Sequence, residues 1–576
     1  MAQKKARKNQ FIASIIEDAR TTQKRETAYT PFIAIVVALL LNRLNFVSFL
    51  NSVIRWDETQ WKVSPGNLAK AIVLTPFLSI GARVPIYAIH ETFESVDMSV
   101  LFEDTVKPEW LTRDAFACLL DRVYEAGCEK LFTNIALKVY STFNIPFKTI
   151  FHGDTTTITL FGKYEVNRSD QDGAATPDYG YSKNGKPNLK QVLLGMVSDS
   201  FGIPLLITVR DGNQNDSKWN NAIIDSLADL VKNAKNGVTY IADSKLTTAP
   251  NIKKLILNSI RFVTVCPANF EKKLSERVIR SAYQNDKWTN IGTYREPRTI
   301  KLAEYEVQEF LESVYGSVCR LLVFRSNETK KDATKKLNNE KNGVQALIKV
   351  STSKEFSCEA DARKEIAALE KSLKNRVWMA KFTLTTKEIE KEKRGRGRPS
   401  KNAKPVPIIT IWMILASDLV VRQEKYNLLL WRTESFVLFT NVIVKEMSSI
   451  EILRIYKEQK TVEDNFSVLK RVAMVDTLFL KLPRRIVALI TLLSFALLVQ
   501  VIIRILVQRN LDAMEEKPGI DHDGKPIERI GLKKIIRFLG YYTIVSDEGG
   551  KRYYHCKTKK HRPHFDTWLK LLEIEF

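Results

Sequence analysis

The chain has 576 residues, with 89 Lys and Arg against 65 Asp and Glu, so its formal charge is +24. That length allows about three to five domains, and a 44% hydrophobic share supports sizeable cores, which excludes a mainly disordered chain, a mini-protein and a collagen-like repeat. The charge points to a polyanionic partner, either nucleic acid or an anionic membrane surface.

Residues 1–28 read as a basic flexible arm, without the sustained apolar run or small-residue cleavage site of a secretory signal. Residues 29–147 are helical by pattern: Phe116, Leu119, Leu120, Val123 and Tyr124 fall on one helical face. The texture changes at Lys148. KTIFHGDTTTITLFGKYE is rich in Thr and β-branched residues and predicts a strand ending near Gly162. Two apolar runs around Asp199-Ser200-Phe201-Gly202 predict a hairpin. Asp216 reads as the N-cap of a helix that carries Ile223, Ile224, Leu227, Leu230 and Val231 on one face and stops at Gly237. VTYIAD (238–243) is a short buried strand ending in a carboxylate, followed by the helix NIKKLILNSI and the strand RFVTVC. The order predicts a mixed sheet covered by helices, an α/β pattern.

Residues 271–435 break this rhythm. They are highly charged and include the basic run KEKRGRGRPSKNAK (391–404). FVLFTN (436–441) resumes strand character, and Ser448-Ser449-Ile450-Glu451 is a capping box opening a long helix through about Arg471. Ile486–Ile503 runs 18 residues without a charge, the lower edge of a membrane span. Thr491, Ser494 and Gln500 interrupt it, and Arg485 and Arg504 bound it, so it is expected to be the core helix of a protein outside the membrane. The last 65 or so residues are mixed and basic. Six scattered cysteines without a C-x-x-C pair indicate a reducing compartment.

Three acids sit where such a sheet would gather them: Asp154 within the first strand, Asp243 at the end of a buried strand, and Glu463 on the long helix. An acid in an apolar strand is costly unless it is paired or binds a metal. Three carboxylates suit two Mg²⁺ ions about 3.5–4 Å apart, which take hard oxygen ligands and leave coordination open for phosphate and water. The bland alternative for any one of them is a surface Asp at a strand end. On the helix, Tyr456, Gln459, Glu463 and Lys470 fall within about 60° of one another at roughly 100° per residue. An aromatic, an amide, a carboxylate and an ammonium then share a stripe that could meet nucleic acid. The plainer reading is an amphipathic helix with a solvated face.

The spacing Y-x2-Q-x3-E-x6-K resembles the Y-x2-R-x3-E-x6-K signature of DDE transposases of bacterial insertion sequences, in the insertion-sequence-four superfamily and its sixteen-thirty-four branch. DTTTITLFG resembles that family's first-Asp strand, YIADSKL its second-Asp strand, and FVLFTN the strand before the Glu helix. GYSKNGKPNLKQVLLGMVSDSFGIPLLITVRDGNQND (180–216) resembles the block between the first two. ALLLNRLNF, SPGNLAKAIVL and PIYAIHETFE resemble the branch's N-terminal domain. The resemblance covers roughly residues 30–510.

It implies a multidomain α/β protein: a ribonuclease-H-like mixed-sheet core split by a large insertion, with an all-helical N-terminal DNA-binding domain. The expected parts are the arm (1–28), the helical domain (29–147), the first part of the core (148–270), the insertion (271–435), the second part of the core (436–510) and a basic C-terminal region (511–576). Asp154, Asp243 and Glu463 match the catalytic metal ligands, with two Mg²⁺ ions as cofactor and Mn²⁺ as a substitute. Tyr456, Gln459 and Lys470 match the DNA-contacting signature. Gln459 departs from the motif's Arg and removes one fixed charge for phosphate. The implied reaction is hydrolysis at element ends followed by transfer of the freed 3′-OH into target DNA, with the ends and target as double-stranded partners. A homodimer in the DNA complex and a bacterial cytoplasmic, nucleoid-associated location follow by analogy. The alternatives are an Mg²⁺-dependent endonuclease on the same core and a non-catalytic DNA-binding relative.

Four other features have two readings each. Arg394-Gly395-Arg396-Gly397-Arg398-Pro399 resembles an AT-hook, with Arg394, Arg396 and Arg398 entering a minor groove, or is a solvated basic loop. HCKTKKHRPH (555–564) reads as a basic DNA-contacting tail rather than a zinc site, because it offers one Cys and irregular spacing. His152 shares a strand face with Asp154 and either touches a metal-bound water or packs. Trp412 and Trp431 either stack on an unpaired base or pack in a core.

Overall fold

The computed structural model describes residues 28–79, 84–164, 173–231, 237–295, 302–390, 407–471, 480–520, 524–547 and 551–574. They form two compact units. The first joins residues up to Ala242 with those from Glu458 onward, and the second runs from Asp243 to Lys457.

The first unit opens with β1 (Ala28–Pro31) and α1 (Phe32–Arg43), whose sequence FIAIVVALLLNR is apolar on every side and buried accordingly. After α2 (Phe46–Val53), α3 (Pro65–Leu78) starts where the Ser64 hydroxyl accepts the Asn67 amide and Pro65 occupies the first turn. Its Lys70 is fully buried and donates to Asn42 Oδ1 at 2.6 Å. Burial pulls the Lys70 ammonium down to about 8, against the pull of Glu103 and Asp104. α4 (Arg113–Glu125) turns Phe116, Leu119, Leu120 and Val123 inward, as the periodicity predicts, and α5 (Cys128–Thr142) follows.

Four strands come next: β2 (Ile150–Thr159), β3 (Gln191–Asp199), β4 (Pro204–Arg210) and, after α6 (Asp216–Val231), β5 (Thr239–Ile241). Their order is β4-β3-β2-β5. β3 pairs antiparallel with β2 and with β4, and β5 runs parallel to β2. Two glycines let α6 and β5 side chains close onto the sheet. A Cβ on Gly195 would lie 2.1 Å from Trp219 Nε1, and one on Gly153 would lie 2.1 Å from Tyr240 Oη. The predicted hairpin turns at Asp199–Gly202. Asp199 Oδ1 accepts the Phe201 and Ile203 amides at 3.0 and 2.8 Å, and Gly202 supplies the positive φ.

The second unit begins with α7 (Ala249–Leu257), β6 (Arg261–Val265), α8 (Leu274–Asn285), β7 (Thr289–Arg295), β8 (Leu302–Val314) and β9 (Ser317–Ser326). Then come α9 (Asn327–Thr352), β10 (Glu355–Phe356), α10 (Glu359–Leu373), β11 (Trp378–Met379), β12 (Phe382–Glu390), β13 (Ile408–Ala416), β14 (Val420–Val421), α11 (Gln423–Glu434), β15 (Ser435–Thr440) and α12 (Ser449–Lys457). Its main strands lie in the order β6-β15-β9-β8-β7, with antiparallel neighbours. α9 and α10 enclose a small core of Leu337, Val344, Leu369, Leu373, Val377 and Trp378. Buried Arg320 on β9 holds the chain before α12, donating to Val442 O (3.2 Å) and Met447 O (2.8 Å) while pairing with Glu309 (3.0 Å).

Back in the first unit stand α13 (Lys460–Arg471) and α14 (Pro483–Ala513). α14 is long and apolar enough to cross a membrane, but 94% of its most apolar window is buried inside the protein. It is the core helix that the interruptions and flanking arginines lead one to expect, and α1, α3, α4 and α5 pack around it. Its first turn is clamped, since Arg484 and Arg485 both bind Asp121 of α4 at 2.6–2.9 Å. Burial would raise the Asp121 carboxyl, but the bonds and charges of Arg485 and Arg484 outweigh it and hold it below the usual range. The chain ends with α15 (Leu532–Leu539), β16 (Tyr542–Ser546), β17 (Arg552–Cys556) and α16 (Phe565–Leu572). β16 lies between β1 and β17.

Asp199 yields a pH test. It is fully buried, accepts the Tyr140 hydroxyl at 2.9 Å, and burial pushes its carboxyl from 3.8 up to about 6, against its hydrogen bonds and Arg504. The native state therefore holds a proton that the unfolded chain has lost between those values, so this contribution falls as pH rises through them. Asp199→Asn stays neutral throughout. Between pH 4 and 6 its urea-unfolding free energy should move about 2–3 kcal/mol in its favour relative to wild type. A constant difference across that window refutes the assignment. Comparing the two proteins cancels the opposite pH dependence of His152, whose ring burial pulls down to about 4.

Candidate active site

β2 carries the first of the predicted acids. Asp154 lies mid-strand and half-buried, opposite Met196 of β3, with its Oδ1 accepting the Thr155 amide at 2.7 Å. Side chains alternate along a strand, so His152 and Thr156 share its face. His152 has 0% exposure, and neither ring nitrogen has a hydrogen-bond partner. It is a neutral packing residue, as the plainer of its two readings has it.

The paired part of β5 ends at His152↔Ile241, while β2 continues to Thr159. Strand carbonyls alternate in direction. Thr149 O, which accepts the Thr239 amide, therefore points to the same side as Thr155 O and Thr157 O. The loop before β3 satisfies these last two. Lys183 Nζ donates to Thr155 O (2.8 Å) and Thr155 Oγ1 (2.7 Å), and Asn184 Nδ2 donates to Thr157 O (2.9 Å). Asp216 joins the group, accepting from Thr155 Oγ1 at 2.7 Å and pairing with Lys183 at 3.1 Å. Asp216 is thus not the N-cap of α6. Asn215 takes that place, its Oδ1 accepting the Ser217 amide at 2.9 Å, because the Asp216 carboxylate is committed to Lys183 and Thr155. The polar loop 180–190 gave no local sign of this role. Its lysine and amide look solvated until β5 is seen to be short.

α13 docks on the Asp154 face. Lys470 Nζ donates to Thr156 Oγ1 (2.6 Å) and Asn184 Oδ1 (2.7 Å). Buried Asn465 donates to Gly202 O (2.9 Å), with Met196 Sδ at 3.7 Å. Glu463 is exposed two turns before Lys470 on the same stripe, since seven residues return to within about 20°. The predicted long helix is two. α12 ends at Lys457 and α13 starts at Lys460, with Gln459 in the joint. The Thr461 and Val462 amides bond back only three residues, to Glu458 and Gln459 (2.9 and 3.0 Å). Tyr456, Gln459, Glu463 and Lys470 therefore do not share one helical stripe. The capping contact at the start of α12 does form, Glu451 accepting the Ser448 amide and hydroxyl at 2.8 and 2.7 Å.

Asp243 is the first residue of the second unit and follows β5 by two positions. Its Oδ1 accepts the Lys245 amide (3.0 Å), and its carbonyl accepts the Thr264 hydroxyl of β6 (2.8 Å). Among the described residues no three His, Cys, Asp or Glu side chains are gathered as a metal centre requires. The donor chemistry of Asp154, Asp243 and Glu463 is nevertheless that of a hard divalent cation. Arg394, Arg396 and Arg398 lie outside the described residues. Trp431 stacks on Tyr283 (5.2 Å, 15°), and Trp412 is half-buried on β13.

Lys183→Met would leave Thr155 O without its donor and Asp216 without its cation, in a site where both charged side chains are less than a third exposed. The loss expected in chemical denaturation is about 1–3 kcal/mol. A change under about 0.5 kcal/mol would show that the loop is not anchored through this ammonium.

Residues 31–137 match a domain of unknown function (DUF4277), and residues 147–499 match the transposase DDE domain. No curated protein matches the chain. The second match spans more than half of the 576 residues and includes β2, β5 and α13. The chain therefore belongs to the transposase DDE domain family, enzymes that act on DNA with the help of a metal ion.

Proposed function

We propose that the protein is a cut-and-paste transposase of an insertion sequence, built on a ribonuclease-H-like core. Water hydrolyses a phosphodiester at each element end and frees a 3′-OH. That hydroxyl then attacks a target phosphodiester in line, forming a new P–O bond as the target's bridging P–O bond breaks and its own proton leaves. Asp154, Asp243 and Glu463 would hold Mg²⁺, two ions in all, with Mn²⁺ able to substitute. Bound there, the metal supplies a lowered pKa for water and charge stabilisation for the departing oxygen.

The observation that supports this reading best is the docking of α13 on β2. The Lys470 ammonium is tied to Thr156, two residues beyond Asp154, and Glu463 lies two turns earlier on the same stripe. This anchors the acid-bearing strand and the acid-bearing helix in one unit. Lys470 presents a fixed positive charge for the DNA backbone, and Tyr456 and Gln459 add neutral contacts. The helices of 29–147 and the arginines at 394, 396 and 398 bind element DNA, and a homodimer pairs the two ends. The protein works in the bacterial cytoplasm, at the nucleoid.

The test uses purified protein, labelled element-end DNA, a target plasmid and Mg²⁺. Asp154→Ala, Asp243→Ala and Glu463→Ala should each lose cleavage and joining by about 100-fold or more while still binding the ends. Chelation should do the same to wild type. Cleavage without joining would replace the proposal with an endonuclease. Binding with no metal-dependent cleavage would leave a DNA-binding relative. Gln459→Arg restores a charge that the family signature carries, and if Gln459 meets the backbone it should steepen the salt dependence of DNA binding by about 0.9.

A further inference from the structure

We propose that the C-terminal module carries a second DNA-binding face, which grips the backbone without reading sequence. Between Arg529 and Arg562 the chain has ten Lys and Arg and only two acids, Asp547 and Glu548. The fold gathers most of this charge. α15 buries Ile535, Phe538 and Leu539 and turns Lys533 and Arg537, one helical turn apart, to solvent. Arg537 Nε donates to Tyr541 Oη at 3.0 Å. Tyr541 stacks on His561 at 4.8 Å and 14°, and Phe538 lies 5.2 Å from the same ring. His561 is buried, and its carbonyl accepts the Tyr542 hydroxyl at 2.6 Å. The Lys557 amide donates to Tyr541 O at 2.9 Å. The Tyr541–His561 stack thus joins the end of α15 to the segment after β17, where Lys557, Lys559, Lys560 and Arg562 are all exposed. Six cations are held by short, hydrogen-bonded elements around one ring pair. Arg552 is left out because Asp97 and Ser99 already engage it.

Duplex DNA is the occupant this face fits. A membrane-surface helix exposes Leu, Phe or Trp beside its cations. Among the described residues of 531–574 the only large apolar side chains at the surface are Tyr553 and Tyr554. A rigid cluster of cations with flanking tyrosines suits phosphate contact, and releasing counterions from DNA makes such contacts strongly salt-dependent.

The proposal stands whether or not Asp154, Asp243 and Glu463 catalyse, so its test uses binding alone. The full-length protein is titrated with a labelled duplex lacking element-end sequence, across a salt series. The variant Lys533→Glu/Arg537→Glu/Lys559→Glu/Lys560→Glu should flatten the slope of log affinity against log salt by about three to four. A comparator with equal charge change, Lys335→Glu/Lys336→Glu/Lys341→Glu/Lys349→Glu on exposed positions of α9, should change it far less. Equal effects would mean that only net charge matters and overturn the proposal, as would an unchanged slope. A loss confined to vesicles of anionic phospholipid would also overturn it, in favour of a membrane surface. Should the reversed variant melt below wild type, Lys559→Gln/Lys560→Gln replaces it, with an expected slope change of about two.

Discussion

Strand β2 carries polar groups through a protein interior, and a buried group left unpaired costs about 1–3 kcal/mol. Thr155, Thr156, Thr157 and Thr159 are all buried, Asp154 lies among them, and β5 is too short to pair the outer half of the strand. The chain meets this constraint with side chains from distant segments: Lys183 and Asn184 from the loop, Asp216 from α6 and Lys470 from α13. The groups that satisfy the strand also build the candidate site. A segment chosen to cover Thr155 O and Thr157 O necessarily sits beside Asp154, and the ammonium that ties α13 down brings the Glu463 stripe with it.

The boundaries of the two units bear on the same chemistry. One falls between Ala242 and Asp243, the other between Lys457 and Glu458. The second unit is therefore inserted between the strand that leads to one acid and the helix that carries another. Closing so long a loop costs only slowly more entropy as it lengthens. The second unit has five main strands and a small core of its own between the packed helices α9 and α10. The large gap between Asp243 and Glu463 is thus compatible with a well-anchored β2 and α13.

Much of this was legible from local pattern. The order strand, hairpin, helix, strand, helix, strand holds from β2 to β6, because Thr-rich and β-branched runs punctuated by Asp199–Gly202 and Gly237 leave few alternatives. The buried fate of Ile486–Ile503 was legible too, from Thr491, Ser494 and Gln500 in its middle. The meander β7–β9 was not, because charge masked it. β8 reads LAEYEVQEFLESV, and its first two acids, Glu304 and Glu306, are the outward half of a strand alternation in which Ala303, Tyr305 and Val307 are buried. The contacts of Lys183 and Asn184 could not be read at all. They depend on where β5 stops, and a three-residue strand has no sharp sequence limit.

The break between α12 and α13 shows a different limit. The stretch YKEQKTVED has neither Gly nor Pro, and Lys, Glu and Gln favour helix, so nothing local stops it. Propensity contributes only tenths of a kcal/mol per residue, while each flanking helix buries a face of its own: Ile452, Leu453 and Ile455 on α12, Val462, Phe466 and Leu469 on α13. When two faces are fixed by the cores of different units, the few residues between them take whatever conformation joins the ends, and a helical wheel drawn through them loses its meaning. Gln459 lies in that joint. Its direction is set by the junction and not by the 100° step.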